Sequence, residues 1–159
     1  MAVRVVQGNL LLAEADTLVN PVNCLGVQGA GLARQFRDRF PELDAEYREL
    51  CRSRLLRLGN PLLSSDGRVL WFPTKHHWRE RSRLWDIDRG LQAFVQRWGD
   101  DSRSWAFPAL GCGLGGLSWD DVLPRMQAKL GEVRGDALVY SPQQAPSRRT
   151  QVLGGKAEA

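Results

Sequence analysis

Cysteine is scarce in this 159-residue chain, and its pattern argues against a disulfide-stabilised protein. The three cysteines, Cys24, Cys51 and Cys112, form no CxxC pair, and their odd number leaves one unpaired. Disulfides are rare in reducing compartments, so this set fits a cytoplasmic protein with free thiols. Because no recognisable His/Asp arrangement accompanies them, none of the three is expected to be a catalytic nucleophile.

Long apolar runs and histidine are also nearly absent. No run approaches the roughly 18 apolar residues of a membrane-spanning helix, and the N-terminus lacks a signal-peptide pattern. The two histidines, His76 and His77, are adjacent, so in an extended segment they would point to opposite faces. Without a third ligand at a suitable spacing they do not predict a metal site. We therefore expect no membrane contact, no metal and, by default, a monomer.

The chain is basic, but lysine is scarce among its basic residues. The formal net charge is +4 and the isoelectric point is about 9.3, which mildly favours an anionic partner. Lysine occurs only at positions 75, 129 and 156, and arginine supplies the remaining basic charge. Lysine can donate or lose a proton where arginine cannot, so Lys75 is a candidate for chemistry. The alternative is that Lys75 is only a solvated charge at the end of a strand.

Segments typical of strands and of helices alternate along the chain. Apolar runs bounded by turn residues predict strands, and apolar residues at helical spacing predict helices. The predicted strands are 2–6, 15–22, 62–63, 68–73, 104–110 and 137–140, with 10–12 resuming the first strand and Pro21 weakening pairing near the end of the second. The predicted helices are 32–40, 41–54, 84–98 and 119–131. This alternation predicts an α/β sandwich with a largely parallel sheet, in which ligands bind beyond the carboxyl ends of the strands.

Two glycine-rich loops follow predicted strands and precede predicted helices. The first loop, residues 23–31, has glycine at 26, 29 and 31, and the second loop, residues 111–116, has glycine at 111, 113, 115 and 116. Glycine lets backbone amides approach an anion closely, and the N-terminus of the following helix favours negative charge. Two such loops at one edge of the sheet suggest a ligand that contains a diphosphate.

The second glycine loop also formally matches GxGxxG, the motif of nicotinamide-binding domains. Such a domain carries the motif in its first strand–helix unit, whereas only one further strand follows the loop here. No nicotinamide cofactor is therefore expected. The glycines could also serve only to make tight turns, but that role accounts for one loop more easily than for two.

Two asparagines lie at the end of the second predicted strand. In the first interpretation, Asn20 and Asn23 form a turn, because Asn bonds its own backbone. In the second interpretation, Asn23 points toward the ligand edge and bonds a sugar hydroxyl. The glycine loop that follows directly favours the second interpretation.

Residues 76–83 mix an aromatic side chain with cations. Trp78 is followed by Arg79, Arg81 and Arg83. This mixture suits single-stranded nucleic acid, because arginine binds phosphate and an indole stacks on a base. A basic loop that merely leads into the next helix is the alternative.

Several segments resemble the macrodomain family, whose members bind ADP-ribose. Residues 5–10, residues 15–23 and the first glycine loop resemble the opening of a macrodomain, and the second glycine loop resembles its diphosphate-binding loop. More narrowly, residues 72–87 and 111–119 resemble the DarG antitoxins of that family. The likeness implies a three-layer α/β/α sandwich with a mixed, largely parallel sheet, and no cofactor. We expect a macrodomain over residues 1–142 and treat 143–159 as a polar tail or truncated linker.

The resemblance implies a role for each matching residue. Lys75 would be catalytic, and Asn23 would orient the distal ribose beside it. Asn9, where many macrodomains carry Asp, would lie at the adenine end with Leu10. The residues implied to contact ADP-ribose are Asn9, Leu10, Asn20, Val27, Gly29, Gly31, Leu110, Gly111, Cys112, Gly113, Leu114, Gly115, Gly116 and Tyr140. The residues predicted to contact DNA are His76, His77, Trp78, Arg79 and Arg81.

DarG antitoxins remove ADP-ribose from thymidine bases in single-stranded DNA, and the resemblance implies this hydrolase activity and a DNA ADP-ribosyltransferase toxin as partner. Protonated Lys75 would stabilise the leaving thymine, and attack by neutral Lys75 is the rival route. Related hydrolases of glutamate-linked ADP-ribose pair such a lysine with an aspartate, which Gly115 and Gly116 replace here. A non-catalytic ADP-ribose reader and a hydrolase of glutamate-linked ADP-ribose on protein are the alternative functions.

Overall fold

The central sheet has six strands in the order β1-β6-β5-β2-β4-β3. In the computed structural model, which describes residues 2–142, the strands are Val3–Val6 (β1), Thr17–Val22 (β2), Leu62–Leu63 (β3), Val69–Pro73 (β4), Trp105–Phe107 (β5) and Ala137–Tyr140 (β6). All neighbouring strands are parallel except β3 and β4, which confirms a mixed, largely parallel sheet. The predicted tail, 143–159, lies outside the described residues.

Helices cover both faces of this sheet. They are Gly31–Arg39 (α1), Asp44–Arg52 (α2), Leu84–Trp98 (α3) and Trp119–Leu130 (α4). One hydrophobic cluster joins the sheet to α3 and α4, with Phe94 and Met126 fully buried in it. A second cluster joins the opposite face to α1 and α2, with Phe36 and Tyr47 at its centre. The two clusters make the predicted three-layer α/β/α sandwich.

Three predicted elements differ from the structure in type or by three residues at one end, and other bounds differ by at most two residues. Leu10–Leu12 is a short 3-10 helix and not a strand, because the side chain of Asn9 accepts a hydrogen bond from Leu11 N at 3.0 Å and caps the turn. The second helix begins as a separate 3-10 turn at Pro41–Leu43. β5 ends at Phe107, since Pro108 lacks a backbone donor and the chain then turns.

The pairing of β2 changes along its length. β2 pairs with β5 only at Thr17 and Leu18, whereas its pairing with β4 continues to Val22. Pro21 thus lies where only the β4 side is paired, in keeping with the predicted weakening. No helix within residues 2–142 is both long enough and apolar enough to cross a membrane.

Parallel strands bring their carboxyl ends to one edge of the sheet. The first glycine loop follows β2, the segment from Thr74 follows β4, and the second glycine loop lies beyond β5. The backbone ties the first two together, because Thr74 N donates to Val22 O and Cys24 N donates to His76 O, both at 2.9 Å. The strand order therefore places Lys75 beside the first glycine loop.

Candidate functional site

A cavity of about 760 Å³ opens at this edge of the sheet. Cavities that hold small ligands are typically of this size. Its walls come from both glycine loops, the segments after β1 and β4, and the end of β6. The predicted residues that line it are Asn9, Leu10, Asn23, Val27, Gly29, Gly31, Lys75, Trp78, Gly111, Cys112, Gly113, Leu114, Gly115 and Tyr140.

Seven predicted site residues are not part of the cavity wall. Asn20 is buried under the first loop, Leu110 is fully buried in the core on the α3 and α4 side, and Gly116 lies outside the wall against the guanidinium of Arg81. The other four, all predicted to contact DNA, are His76, His77, Arg79 and Arg81. His76, Arg79 and Arg81 are exposed and His77 is half-buried.

Asn23 organises the first glycine loop. Its Oδ1 accepts from Leu25 N at 2.9 Å and its Nδ2 donates to Val27 O at 2.7 Å. The hydroxyl of Tyr47, which is fully buried on α2, donates to Asn23 O at 2.9 Å and lies 3.1 Å from Asn23 Oδ1. The turn and ligand interpretations of Asn23 are therefore compatible, because the side chain shapes the loop while it lines the cavity. An amide carries two N–H donors, so its second donor remains for a ligand.

Tyr47→Phe tests whether α2 positions this loop. Removing the buried hydroxyl leaves Asn23 O without that donor, so we expect the free energy of unfolding to fall by about 1–2 kcal/mol. We also expect weaker ADP-ribose binding, since Asn23 loses its anchor. Chemical denaturation and titration calorimetry measure the two effects. The matched control is Tyr140→Phe, whose hydroxyl bonds no other described side chain or backbone group; equal stability losses in both variants would contradict the positioning role.

A chain of polar contacts supports the first loop from below. Asn20 Nδ2 donates to Gln28 Oε1 at 2.8 Å, and Gln28 Nε2 donates to Asp44 Oδ1 at 2.9 Å. Asp44 also pairs with Arg48 at 2.9 Å. Asn20 and Gln28 are both buried, so this chain fixes the loop against α2 and gives Asn20 a structural contact.

Close packing under the second loop accounts for its glycines. A Cβ at Gly115 would lie 2.3 Å from Ser82 Oγ and 2.7 Å from Gly111 O. Gly116 has φ +79°, a left-handed conformation that favours glycine, and its Cα faces Arg81. Ser82 N donates to Gly115 O at 3.0 Å, which ties the segment after β4 to the loop. There is therefore no room for an aspartate at Gly115 without moving the loop.

The N-terminus of α1 forms part of the cavity wall without a side-chain cap. The cap residue is Ala30, and its side chain accepts no hydrogen bond. The first N–H groups of a helix have no partner within the helix, and an anion satisfies them. Across the cavity, Leu114 Cδ1 would lie 3.7 Å from a Cβ placed on Gly31, so the two loops nearly meet. The two loops and the N-terminus of α1 thus border one space, where the helix end favours an anion such as a diphosphate.

Lys75 is the only side chain on the described wall of this cavity that carries a charge at neutral pH. It lies directly after β4 and is half-buried. Burial lowers the pKa of Lys75 below its usual value, and the carboxylate of Glu80 opposes that effect. No carboxylate lines the described wall, so Lys75 is the one charged acid–base group on it.

The cysteines near the cavity are poor nucleophiles. Burial raises the pKa of the Cys24 thiol to about 12, with Cys51 adding to the effect, and raises the pKa of Cys112 to about 11. Both thiols therefore stay protonated at neutral pH, and the thiolate is the reactive form. The prediction that no cysteine is a nucleophile agrees with these values.

Sequence reasoning missed the residues that hold the loops in place. Tyr47 and Ser82 are buried polar side chains in contact with a glycine loop, and Gln28 is a buried side chain of the first loop that bonds Asn20 on β2. Only Tyr47 gave a signal, because it stands on the buried stripe of α2 where its hydroxyl must find a partner. The other two contacts join parts of the chain whose packing no local pattern specifies.

Comparison with known proteins identifies the family of this chain. A family model described as Macro domain matches residues 19–126. The DNA ADP-ribosyl glycohydrolase of Mycobacterium tuberculosis (strain ATCC 25618 / H37Rv) is 38% identical over 143 residues, covering 85% of this chain and 41% of that protein. This chain thus spans about two fifths of the length of the curated relatives it matches.

Solved structures share the fold over nearly the whole chain. The macrodomain of Mycobacterium tuberculosis DarG matches with a TM-score of 0.82 at 37% identity, covering 89% of this chain and 98% of that one. Thermosipho africanus DarTG, solved in complex with ADP-ribose, matches with a TM-score of 0.84 at 31% identity, covering 94% of this chain and 44% of that one. With the family model matching well over half of its residues, this chain belongs to the macrodomain family.

Proposed function

We propose that this chain hydrolyses the bond between ADP-ribose and thymidine bases of single-stranded DNA, and acts as antitoxin to a DNA ADP-ribosyltransferase. The observation that carries the proposal is Lys75, the only charged side chain on the described wall of a cavity between two glycine loops. Curated relatives at 38% identity are named DNA ADP-ribosyl glycohydrolase. Another relative is named as a fusion of a DNA ADP-ribosyl transferase with such a glycohydrolase, which supports a transferase partner.

In the proposed complex the ligand follows the length of the cavity. The adenine lies near Asn9 and Leu10, and the diphosphate lies between the amides of the two loops. The distal ribose then lies at the end where Asn23 and Lys75 share the wall. The Thermosipho africanus relative was solved with ADP-ribose, which supports this class of ligand.

Hydrolysis breaks the bond between the anomeric carbon and thymine N3. The bonding electron pair goes to N3, and the Lys75 ammonium donates the proton that makes thymine a neutral leaving group. A water molecule adds its oxygen to the anomeric carbon, and its released proton restores the Lys75 ammonium. The products are unmodified thymidine and free ADP-ribose, so the lysine needs no carboxylate partner.

Attack by neutral Lys75 on the anomeric carbon or the opened sugar is the rival mechanism. The lowered pKa of Lys75 would increase the neutral fraction of its amine, so the direction of the pKa shift alone does not separate the two routes. A covalent intermediate does separate them. Borohydride treatment during turnover is expected to leave Lys75 unmodified, and a reduced sugar adduct on Lys75 would rule out the proton-donor route.

The proton-donor mechanism predicts the direction in which kcat/KM changes with pH. A proton donor must be protonated, so kcat/KM is expected to fall as the pH rises through the pKa of Lys75. That fall should come below the usual lysine value of about 10.4, because burial lowers the pKa. Rates of the wild type between about pH 6 and pH 10 check this prediction. A rate that rises with pH over the same range would support the nucleophilic route instead.

The substrate class is tested by offering two labelled substrates side by side. One is a single-stranded oligonucleotide with ADP-ribose on thymidine, and the other is a peptide with ADP-ribose on glutamate. We expect label to leave the oligonucleotide and stay on the peptide. Release from the peptide alone would indicate a protein hydrolase, and binding of free ADP-ribose with release from neither would indicate a reader.

A further inference from the structure

Trp85 is an exposed tryptophan that the cavity does not use. It lies in the first turn of α3, and 62% of its surface is exposed. The buried residues of that helix include Ile87, Leu91 and Phe94, whereas Trp85 shares its side of the helix with Arg89 and Gln92, which are exposed. An indole on this polar face buries little of its surface in the core. We therefore look for its role in a contact at the protein surface.

Two arginines close to this indole in the chain are held by one buried carboxylate. Asp86 is 2% exposed, and its Oδ2 accepts from Arg83 Nε at 2.8 Å while its Oδ1 accepts from Arg89 at 3.0 Å. The Arg89 guanidinium also lies 4.3 Å from the centre of the Trp85 ring. Each guanidinium has five N–H donors, so both keep donors for a phosphate. The carboxylate therefore orders a cationic aromatic surface made of Arg83, Trp85 and Arg89.

This surface is linked to the cavity by the segment after β4. Trp78 lines the cavity, Ser82 is bonded to the second glycine loop, and Trp85 follows three residues later. Seven residues span at most about 25 Å, so the two indoles are within reach of one short strand of nucleic acid. Trp78 has His77 and Arg79 against its ring, at 5.3 Å and 4.5 Å, and is less exposed than Trp85.

We propose that Arg83, Trp85 and Arg89 form a stacking platform for a nucleobase that flanks the ADP-ribosylated thymidine in single-stranded DNA. The proposal rests on the proposed function for its substrate, but the DNA contact has its own readout. The charges fit a polyanion, since Asp86 neutralises only one of the two arginines it holds. Of the other acids nearby, Asp88 pairs with Arg125 and Glu80 accepts from His77 N.

The test compares variants for binding of an unmodified, fluorescent single-stranded oligonucleotide. Loss of base stacking in Trp85→Ala is expected to weaken binding roughly tenfold, and Trp85→Phe should restore most of it, since a phenyl ring also stacks on a base. Arg89→Ala should weaken binding and flatten its salt dependence. Arg125→Ala is the matched control, because its side chain is equally exposed at 41% and also pairs with an aspartate, and its binding should not change.

Turnover separates this inference from the proposed function. In Trp85→Ala we expect KM for an ADP-ribosylated oligonucleotide to rise roughly tenfold, while affinity for free ADP-ribose and turnover of ADP-ribosylated thymidine alone stay unchanged. Wild-type oligonucleotide binding in Trp85→Ala would overturn the platform. Trp85 would then be assigned to an interface with a protein instead. Equal losses on the mononucleoside and the oligonucleotide would also overturn the platform. If the wild type released no ADP-ribose from DNA, the proposed function would fail while the binding comparison would still decide the platform.

Discussion

Lys75→Ala is expected to lower kcat on ADP-ribosylated DNA by about 10²–10⁴-fold, the range that a positioned proton donor contributes. No other side chain on the described wall of the cavity carries a charge at neutral pH, so no neighbour there replaces the positive charge of Lys75. Affinity for free ADP-ribose should stay within a small factor, because in the proposed complex the loop amides, and not Lys75, hold the diphosphate. Single-turnover release of ADP-ribose and titration calorimetry measure the two quantities.

Lys75→Arg separates proton donation from simple charge. Arginine keeps the positive charge but holds its proton too tightly to donate it. We expect this variant to be nearly as slow as the alanine variant. Wild-type rates in Lys75→Arg would assign an electrostatic role to Lys75, and wild-type rates in Lys75→Ala would remove it from the mechanism altogether.

Gly115→Ala is expected to damage the second loop and lower ADP-ribose affinity by tenfold or more. The added Cβ would stand 2.3 Å from Ser82 Oγ and 2.7 Å from Gly111 O, and a backbone oxygen cannot swing away. Overpacking of this kind costs about 1–3 kcal/mol, so the melting temperature should fall as well. Thermal unfolding and ADP-ribose titration check both effects.

Gly113→Ala is the matched stability control in the same loop. A Cβ at Gly113 meets nothing within 4 Å, so the free energy of unfolding should change by less than about 0.5 kcal/mol. Adding Ser82→Ala to Gly115→Ala should recover part of the loss, because it removes the nearest atom. Equal stability of the Gly113 and Gly115 variants would contradict the role of close packing at Gly115.

The fold could be predicted wherever one local pattern dominates. The apolar spacing of α3 gave its bounds, Leu84–Trp98, and the apolar run at β6 gave Ala137–Tyr140. The placement of Lys75 and both glycine loops at one edge followed from the parallel sheet alone. Leu10–Leu12 was predicted wrongly, because the cap from Asn9 outweighs the apolar run.

The supports of the site could not be predicted, because they depend on contacts between distant parts of the chain. Asn20 lies on the side of β2 that packs toward the first loop, where Gln28 accepts its hydrogen bond. Tyr47 bonds Asn23, which lies 24 residues earlier in the chain. Ser82 packs against Gly115 because the segment after β4 passes beside the second glycine loop. The aspartate missing from the second loop was evident in the sequence, but the lack of room for it appears only in three dimensions.

The position of a bound ADP-ribose relative to Lys75 decides whether Lys75 can donate a proton to the leaving group. A crystal structure of the wild type with ADP-ribose gives the distance from Lys75 Nζ to the anomeric hydroxyl, which occupies the place of the leaving thymine nitrogen. We expect the diphosphate between the two loops and a distance of about 2.6–3.2 Å, or one bridging water, as proton transfer requires. A distal ribose turned away from Lys75 would contradict proton donation by Lys75. So would a ligand bound instead in a separate cavity, which Arg37, Arg48 and Arg52 help to line.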